Sequence, residues 1–169
     1  TFSSDGSSYG IAYTAPGTSV PYSTYTNDGY GDVHTVSYDS SGNVTSDTWT
    51  YGNGNYSTVA DDGLGNVTTT IYTASGTKIS DSWTKADGSH GNDGFNGDGS
   101  SSGATYYADG TSTSYSNDGQ GQIITKNYSF SHILTGYRIA KTYGLQDVIT
   151  SYYSPAGIKL SETWINSDG

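Results

Sequence analysis

Three carboxylates stand at matched places in this sequence: Asp47 in Thr45-Ser-Asp-Thr-Trp49, Asp81 in Ile79-Ser-Asp-Ser-Trp83 and Glu162 in Leu160-Ser-Glu-Thr-Trp164. Paired carboxylates are the tools of general acid and base catalysis, where one gives and one takes a proton across a shared pocket. Here each belongs to its own copy of one phrase: Ser or Thr, an acid, any residue, then Trp. Copies of a phrase occupy equivalent places instead of converging, so the expected role is structural, with each acid accepting hydrogen bonds from Ser or Thr hydroxyls or from the Trp indole. His34, His90 and His132 show no metal-ligand spacing. Serine stands in no nucleophile-elbow motif, and no glycine-rich loop has the lysine of a phosphate cradle. No catalytic residue is assigned, and the chain reads as a non-enzyme.

Two binding chemistries are written into the sequence. In Gly91-Asn-Asp-Gly-Phe-Asn-Gly-Asp-Gly99, the carboxylates of Asp93 and Asp98 offer oxygen ligands of the kind Ca²⁺ takes, against the plainer reading of two Asp-Gly turns. Tyr106, Tyr107, Tyr115 and Tyr152 offer flat aromatic surfaces on which sugar rings stack. The plainer reading is that rows of tyrosine fill the faces of a fold poor in aliphatic residues. No cofactor is otherwise implied.

The elements that carry these residues are announced by composition. Ser and Thr together number 51 of 169 residues, with 24 Gly, 17 Tyr and only 3 Pro, which is the usage of strands and turns. The 14% aromatic content argues against disorder. The expected fold is thin, held by backbone hydrogen bonds and stacked Tyr and Thr. A net charge of −10 disfavours nucleic acid and anionic membrane surfaces as partners, since both demand clustered Lys or Arg. Cysteine is absent, and no apolar run is long enough to span a bilayer or serve as a signal peptide. An acidic, Cys-free chain of this kind suggests an exported bacterial protein, as a mature product or an excised fragment, at the cell surface or outside it.

Repetition is the strongest signal. Segments of 11 or 12 residues end in turn dipeptides at Asp28-Gly29, Asp62-Gly63, Asp87-Gly88, Asp98-Gly99, Asp109-Gly110 and Asp118-Gly119. Asp-Gly favours tight hairpin turns, and each segment leaves room for one strand and one turn. A 34-residue period lies on top, with copies from 22, 56, about 112 and about 140, and a 22-residue insertion at about 89–110. Across the copies Val33, Val67 and Val148 share one position, Thr35 and Thr69 another, Tyr38, Tyr72, Tyr128 and Tyr153 a third, and Trp49, Trp83 and Trp164 a fourth. Alternation puts Val and Thr on one face and Tyr on the other. The segment Ile133–Val148 deviates: it holds Arg138, the only arginine, and His132 stands where a turn glycine belongs. A deviant repeat is expected to be a cap, a junction or a docking patch.

The residues Tyr38-Asp-Ser-Ser-Gly-Asn-Val-Thr-Ser46 resemble the YD repeat of Rhs-type and other large secreted bacterial proteins; Tyr72-Thr-Ala-Ser-Gly76 and Tyr153-Ser-Pro-Ala-Gly157 are similar but lack the Asp. The wider texture looks like the tandem β-repeats of bacterial adhesins, and the stretch from Gly91 is similar to one imperfect copy of the calcium-binding nonapeptide of RTX proteins. These resemblances imply a scaffold. The expectation is an all-β chain of tandem hairpins, 1–169 as one repeat-built domain, forming a ribbon or a β-solenoid. Its expected work is that of a stalk or fibre segment that associates with itself head to tail into filaments. A carbohydrate-binding module and a Ca²⁺-stiffened segment are the alternatives.

Overall fold

The computed structural model describes residues 1–13, 21–143 and 147–166. The chain divides into two compact units, Thr1–Asp81 and Ser82–Gly169. The first holds strands β1 (Ser8–Ala12), β2 (Ser23–Asn27), β3 (Val33–Tyr38), β4 (Val44–Thr50), β5 (Tyr56–Asp61) and β6 (Val67–Tyr72). Strand β7 (Lys78–Thr84) straddles the division. The second unit holds β8 (His90–Phe95), β9 (Ser101–Tyr106), β10 (Ser112–Asn117), β11 (Gln122–Tyr128), β12 (Leu134–Tyr143), β13 (Asp147–Tyr153) and β14 (Lys159–Ile165).

In the first unit, β1 to β6 pair antiparallel, each with the next in the chain. In the second, β8 to β14 do the same. The fold is therefore all-β and built of successive hairpins. Pairing of each strand with its chain neighbour is the ribbon form of the expected architecture, not the coiled form.

The turns explain the hairpins. In one recurring type, illustrated by Asp39–Asn43, the first N–H donates to the fifth carbonyl at 2.9 Å and the fourth N–H returns to the first carbonyl at 3.1 Å. The fourth residue must then take the left-handed conformation, as Gly42 does at φ 87°. All six Asp-Gly turns read from the sequence have their glycine at positive φ. At His132 the turn survives without glycine: the residue sits at φ 59°, the one non-glycine at positive φ among the described residues, and its N–H still reaches the Ser129 carbonyl at 2.8 Å.

Neither unit contains a buried hydrophobic residue among those described. The buried polar side chains are all serine: Ser57, Ser89, Ser112 and Ser151, between 3% and 8% exposed. The register explains three of them. Ser57 lies between Trp49 and Ile71, Ser112 between Tyr106 and Tyr128, and Ser151 between Ile139 and Glu162. With no second layer to cover a face, a residue is hidden only by taller neighbours on adjacent strands.

Among the described pairings strict alternation fails at three places. Ser37 faces Ser46 while Tyr38 faces Val44, so Thr45 is the extra residue of a β-bulge. The same step leaves Thr135 extra in β12 and Leu160 extra in β14. Thr45 and Leu160 therefore fall out of the simple face they would share with Asp47–Trp49 and Glu162–Trp164. The deviant stretch from Ile133 becomes β12, ten residues long and paired on both sides, so it is an interior strand and not a cap. Residues 144–146, within that stretch, and 14–20, within the opening repeat, lie outside the described residues.

Candidate functional site: cross-strand rungs and turn carboxylates

Among the described residues four aromatic pairs face each other across strand pairs. Tyr56 and Tyr72 stack with ring centroids 5.0 Å apart, Tyr137 and Tyr153 at 4.8 Å, His90 and Tyr106 at 5.1 Å, and His34 and Trp49 at 4.4 Å. All four are directly opposed in register. Offset stacked pairs of this separation contribute about 0.5–1.5 kcal/mol beyond the area they cover. Tyr72 and Tyr153, singled out by the repeat, thus have ring partners. Tyr128 instead faces Ser112, and the N–H of Tyr38 bonds the Tyr22 carbonyl at 2.9 Å. Sequence reasoning missed Tyr56, Tyr137, His34 and His90 as partners. A signal was present: Tyr56 and Tyr72, Tyr137 and Tyr153, and His90 and Tyr106 are each 16 residues apart, on opposite sides of one turn.

The carboxylates beside the three tryptophans do not converge, and each has a different partner. Asp47 Oδ1 lies 2.8 Å from His34 Nε2, under the His34–Trp49 stack. Asp81 pairs with Lys78, and its other oxygen is buried without a partner. Glu162 pairs with Lys159, accepts from Ser151 Oγ at 2.7 Å and from the Trp164 indole at 3.3 Å. The ammonium of Lys159, then the Ser151 hydroxyl and the indole, hold the Glu162 carboxyl down to about 2. Hydroxyl and indole donors, the expected partners, are both present at Glu162; His34 and Lys78 take that place at the other two.

Turn carboxylates form a second recurrent group. Asp28, Asp62 and Asp118 open the sequences Asp-Gly-Tyr-Gly, Asp-Gly-Leu-Gly and Asp-Gly-Gln-Gly. One oxygen of each accepts the N–H two and four residues on, at 2.7 to 3.1 Å. At Asp39 and Asp62 the side-chain amide of the Asn just before the next strand, Asn43 or Asn66, adds a bond, and it is the main reason their carboxyls lie below the usual range. At Asp118 the lowering comes first from the Gln122 N–H. Asp5, Asp98 and Asp109 are lowered chiefly by the hydroxyl two residues on, and Asp87 by the Ser89 N–H.

The remaining sequence candidates separate. Asp93 lies mid-strand in β8 opposite Gly103, while the Asp98 carboxylate accepts the Ser100 N–H at 2.9 Å in the next turn. Among the described residues no three His, Asp or Glu side chains gather as a metal site would require. Tyr106 is engaged with His90 on one face, and Tyr107 is a turn residue whose hydroxyl is 3.5 Å from Thr113 Oγ1. Tyr115 and Tyr152 share the other face in a row that runs Tyr115, Thr125, Arg138, Tyr152 across β10 to β13. Val33, Thr35, Val67, Thr69 and Val148 are half-buried strand positions, as the repeat requires.

Such an arrangement can do mechanical work, since within each unit the paired strands are tied by backbone bonds and at intervals by a ring pair or a carboxylate. Compared with models of known protein families and with curated proteins, the chain matches none.

Proposed function

We propose that this chain is a non-catalytic structural segment, the strand-by-strand body of an extracellular bacterial fibre or adhesin stalk that associates head to tail. The observation that carries the reading is the recurrence of one construction at equivalent places. The three Trp phrases, the three Asp-Gly-x-Gly turns and the four aromatic rungs among the described residues are each repeated at separate places, whereas catalytic groups converge on one pocket. Tyrosine suits such a material: its ring lies on a neighbour while its hydroxyl stays in water. The acidic surface, at a net charge of −10, keeps neighbouring fibres hydrated and apart. The resemblance to YD-type repeats supports the same reading. Electron microscopy of the purified chain over a range of concentrations tests it. Ordered filaments support assembly as the function; monodisperse particles at every concentration exclude it.

A second reading is favoured by one observation, the row Tyr115, Thr125, Arg138 and Tyr152 on a single face. Two aromatic rings flanking a hydroxyl and a guanidinium suit an acidic glycan. Binding on a glycan array that is lost in Arg138→Ala supports this reading, and a silent array removes it.

A further inference from the structure

Two of the four ring pairs are tyrosine on tyrosine, one in each unit. Tyr56 and Tyr72 lie 5.0 Å apart with planes 18° from parallel, and Tyr137 and Tyr153 lie 4.8 Å apart at 7°. Each pair is directly opposed in register and only half-buried, so its rings stay within reach of solvent. The construction is the same down to the next turn. A Cβ at Gly76 would lie 3.8 Å from the Tyr56 hydroxyl, and one at Gly157 would lie 3.6 Å from the Tyr137 hydroxyl. Both phenols thus project over the glycine of the turn that follows the partner's strand. Tyr22 and Tyr38 have the same 16-residue spacing, yet they are not among the four stacks of the described residues, and Tyr22 is 57% exposed. The chain holds 17 Tyr and neither Cys nor Met, the two sulfur residues that oxidants attack.

We infer that Tyr56–Tyr72 and Tyr137–Tyr153 are sites of oxidative cross-linking, each closing to a dityrosine under a one-electron oxidant of the haem-peroxidase class acting with hydrogen peroxide. Each phenol gives up one electron and its hydroxyl proton, and the two phenoxyl radicals join through ring carbons ortho to oxygen. The hydrogen on each joined carbon then moves as a proton to that ring's oxygen, which restores both phenols. The two electrons and two protons released reduce one hydrogen peroxide to two waters. Radicals on separate chains must meet by diffusion, whereas rings held nearly parallel at this separation need only a small tilt. The bond ties β5 to β6 and β12 to β13. It closes a loop of 16 residues, which is the work a disulfide does in a chain that has cysteine. This inference rests on the structural reading above, which places the chain outside the cell and under load, and adds to it a covalent staple at two named rungs.

The test treats the whole chain with a haem peroxidase and hydrogen peroxide, at a protein concentration low enough that chains rarely meet. Dityrosine fluorescence follows the reaction, the monomer is isolated on a denaturing gel, and peptide mass spectrometry finds each bond by the loss of two hydrogen atoms. Tyr56–Tyr72 and Tyr137–Tyr153 are expected to exceed every other tyrosine pair, Tyr22–Tyr38 included, by about tenfold or more, because only they are held in contact. The preference is expected to vanish when the oxidation is done in urea. The double variant Tyr56→Phe, Tyr137→Phe keeps a ring at every rung and removes one phenol from each pair. Its circular dichroism should be unchanged, and its dityrosine within the monomer should fall by about tenfold or more. Bonds scattered over the tyrosines without preference, the same bonds in urea, or undiminished dityrosine in the Phe variant overturn the inference. Filaments of the untreated chain in the microscope, with no bond at either pair after oxidation, leave the structural reading standing and remove only this inference. Bonds at both pairs in a chain that stays monodisperse retain the cross-link and remove assembly as the function.

Discussion

Replacing His132 by glycine should make the protein more stable, against the usual direction for a substitution to glycine. His132 occupies the fourth position of a turn whose equivalents Gly42, Gly54, Gly76, Gly88, Gly99, Gly110 and Gly157 are all glycine at φ between 81° and 89°. At φ 59° its Cβ lies close to backbone, at a cost of roughly 1–2 kcal/mol for an L-residue held left-handed. Glycine removes that strain and gives back roughly 0.5–1 kcal/mol in unfolded-chain entropy. The difference is a net gain of about 0.5–1 kcal/mol, which for a chain of this size corresponds to roughly 1–4 °C in melting temperature. The reciprocal change is Gly88→Ala, at φ +89° with nothing within 4 Å of an added Cβ, so that only the backbone is perturbed. It should lose about 1 kcal/mol. Thermal melts followed by circular dichroism, with urea melts to compare slopes, measure both. If His132→Gly lowers the melting temperature, or Gly88→Ala leaves it unchanged, the account of these turns as backbone-limited is wrong.

Three other outcomes follow from the rungs and turns. A double-mutant cycle on Tyr56 and Tyr72, each changed to Ala, should show a coupling of about 0.5–1.5 kcal/mol in urea melts, and the Tyr137–Tyr153 cycle the same; additive losses would remove the stacks from the account. Gly91→Val should be among the most disruptive single changes in the second unit, by more than about 2 kcal/mol, because its Cβ meets the Ala104 backbone carbonyl as well as the Trp83 indole; a loss no larger than that of an exposed Gly97→Val control would contradict it. The lowered carboxyls of Asp5, Asp39, Asp62, Asp87, Asp98, Asp109 and Asp118 fix an acid limit. Their folded values lie below their unfolded ones, so the stability they contribute is complete above the ordinary carboxylate range and is lost as pH falls through the folded values, with Glu162 last at about 2. The melting temperature should be level from neutrality to about pH 5 and drop below about pH 4. Acid also relieves repulsion among sixteen acidic groups, so a melting temperature that rises on acidification would show that repulsion outweighs the turn bonds.

The turns and the strand class were legible in the sequence because they are local. Asp followed by Gly states a backbone conformation within two residues, and all six such pairs adopt it. The bulges at Thr45, Thr135 and Leu160 were not legible, since an extra residue leaves hydrophobic alternation intact on its own strand and shows only against a partner. The carboxylates beside the tryptophans could be read as structural from their repetition. Their partners could not, because His34, Lys78 and Ser151 reach them from positions that differ between copies. The loss of glycine at His132 looked like the loss of a turn, yet the turn's own backbone hydrogen bonds and the pairing of β11 with β12 hold the histidine in the same left-handed conformation.

Serine, not valine, is what each unit buries, and the reason lies in having no second layer. A face left open to water cannot hide a large side chain, because nothing stands above it. It can hide a small one, because taller neighbours on the flanking strands lean across it. Ser112 between Tyr106 and Tyr128 is covered in this way, and the price of a buried hydroxyl is met by the short reach to neighbouring groups, as Ser151 reaches Glu162 at 2.7 Å. The apolar gain then comes from rings and methyl groups touching sideways, strand to strand, and it grows in proportion to the number of strands instead of with enclosed volume. A fold of this type gains nothing from a larger core and everything from another strand.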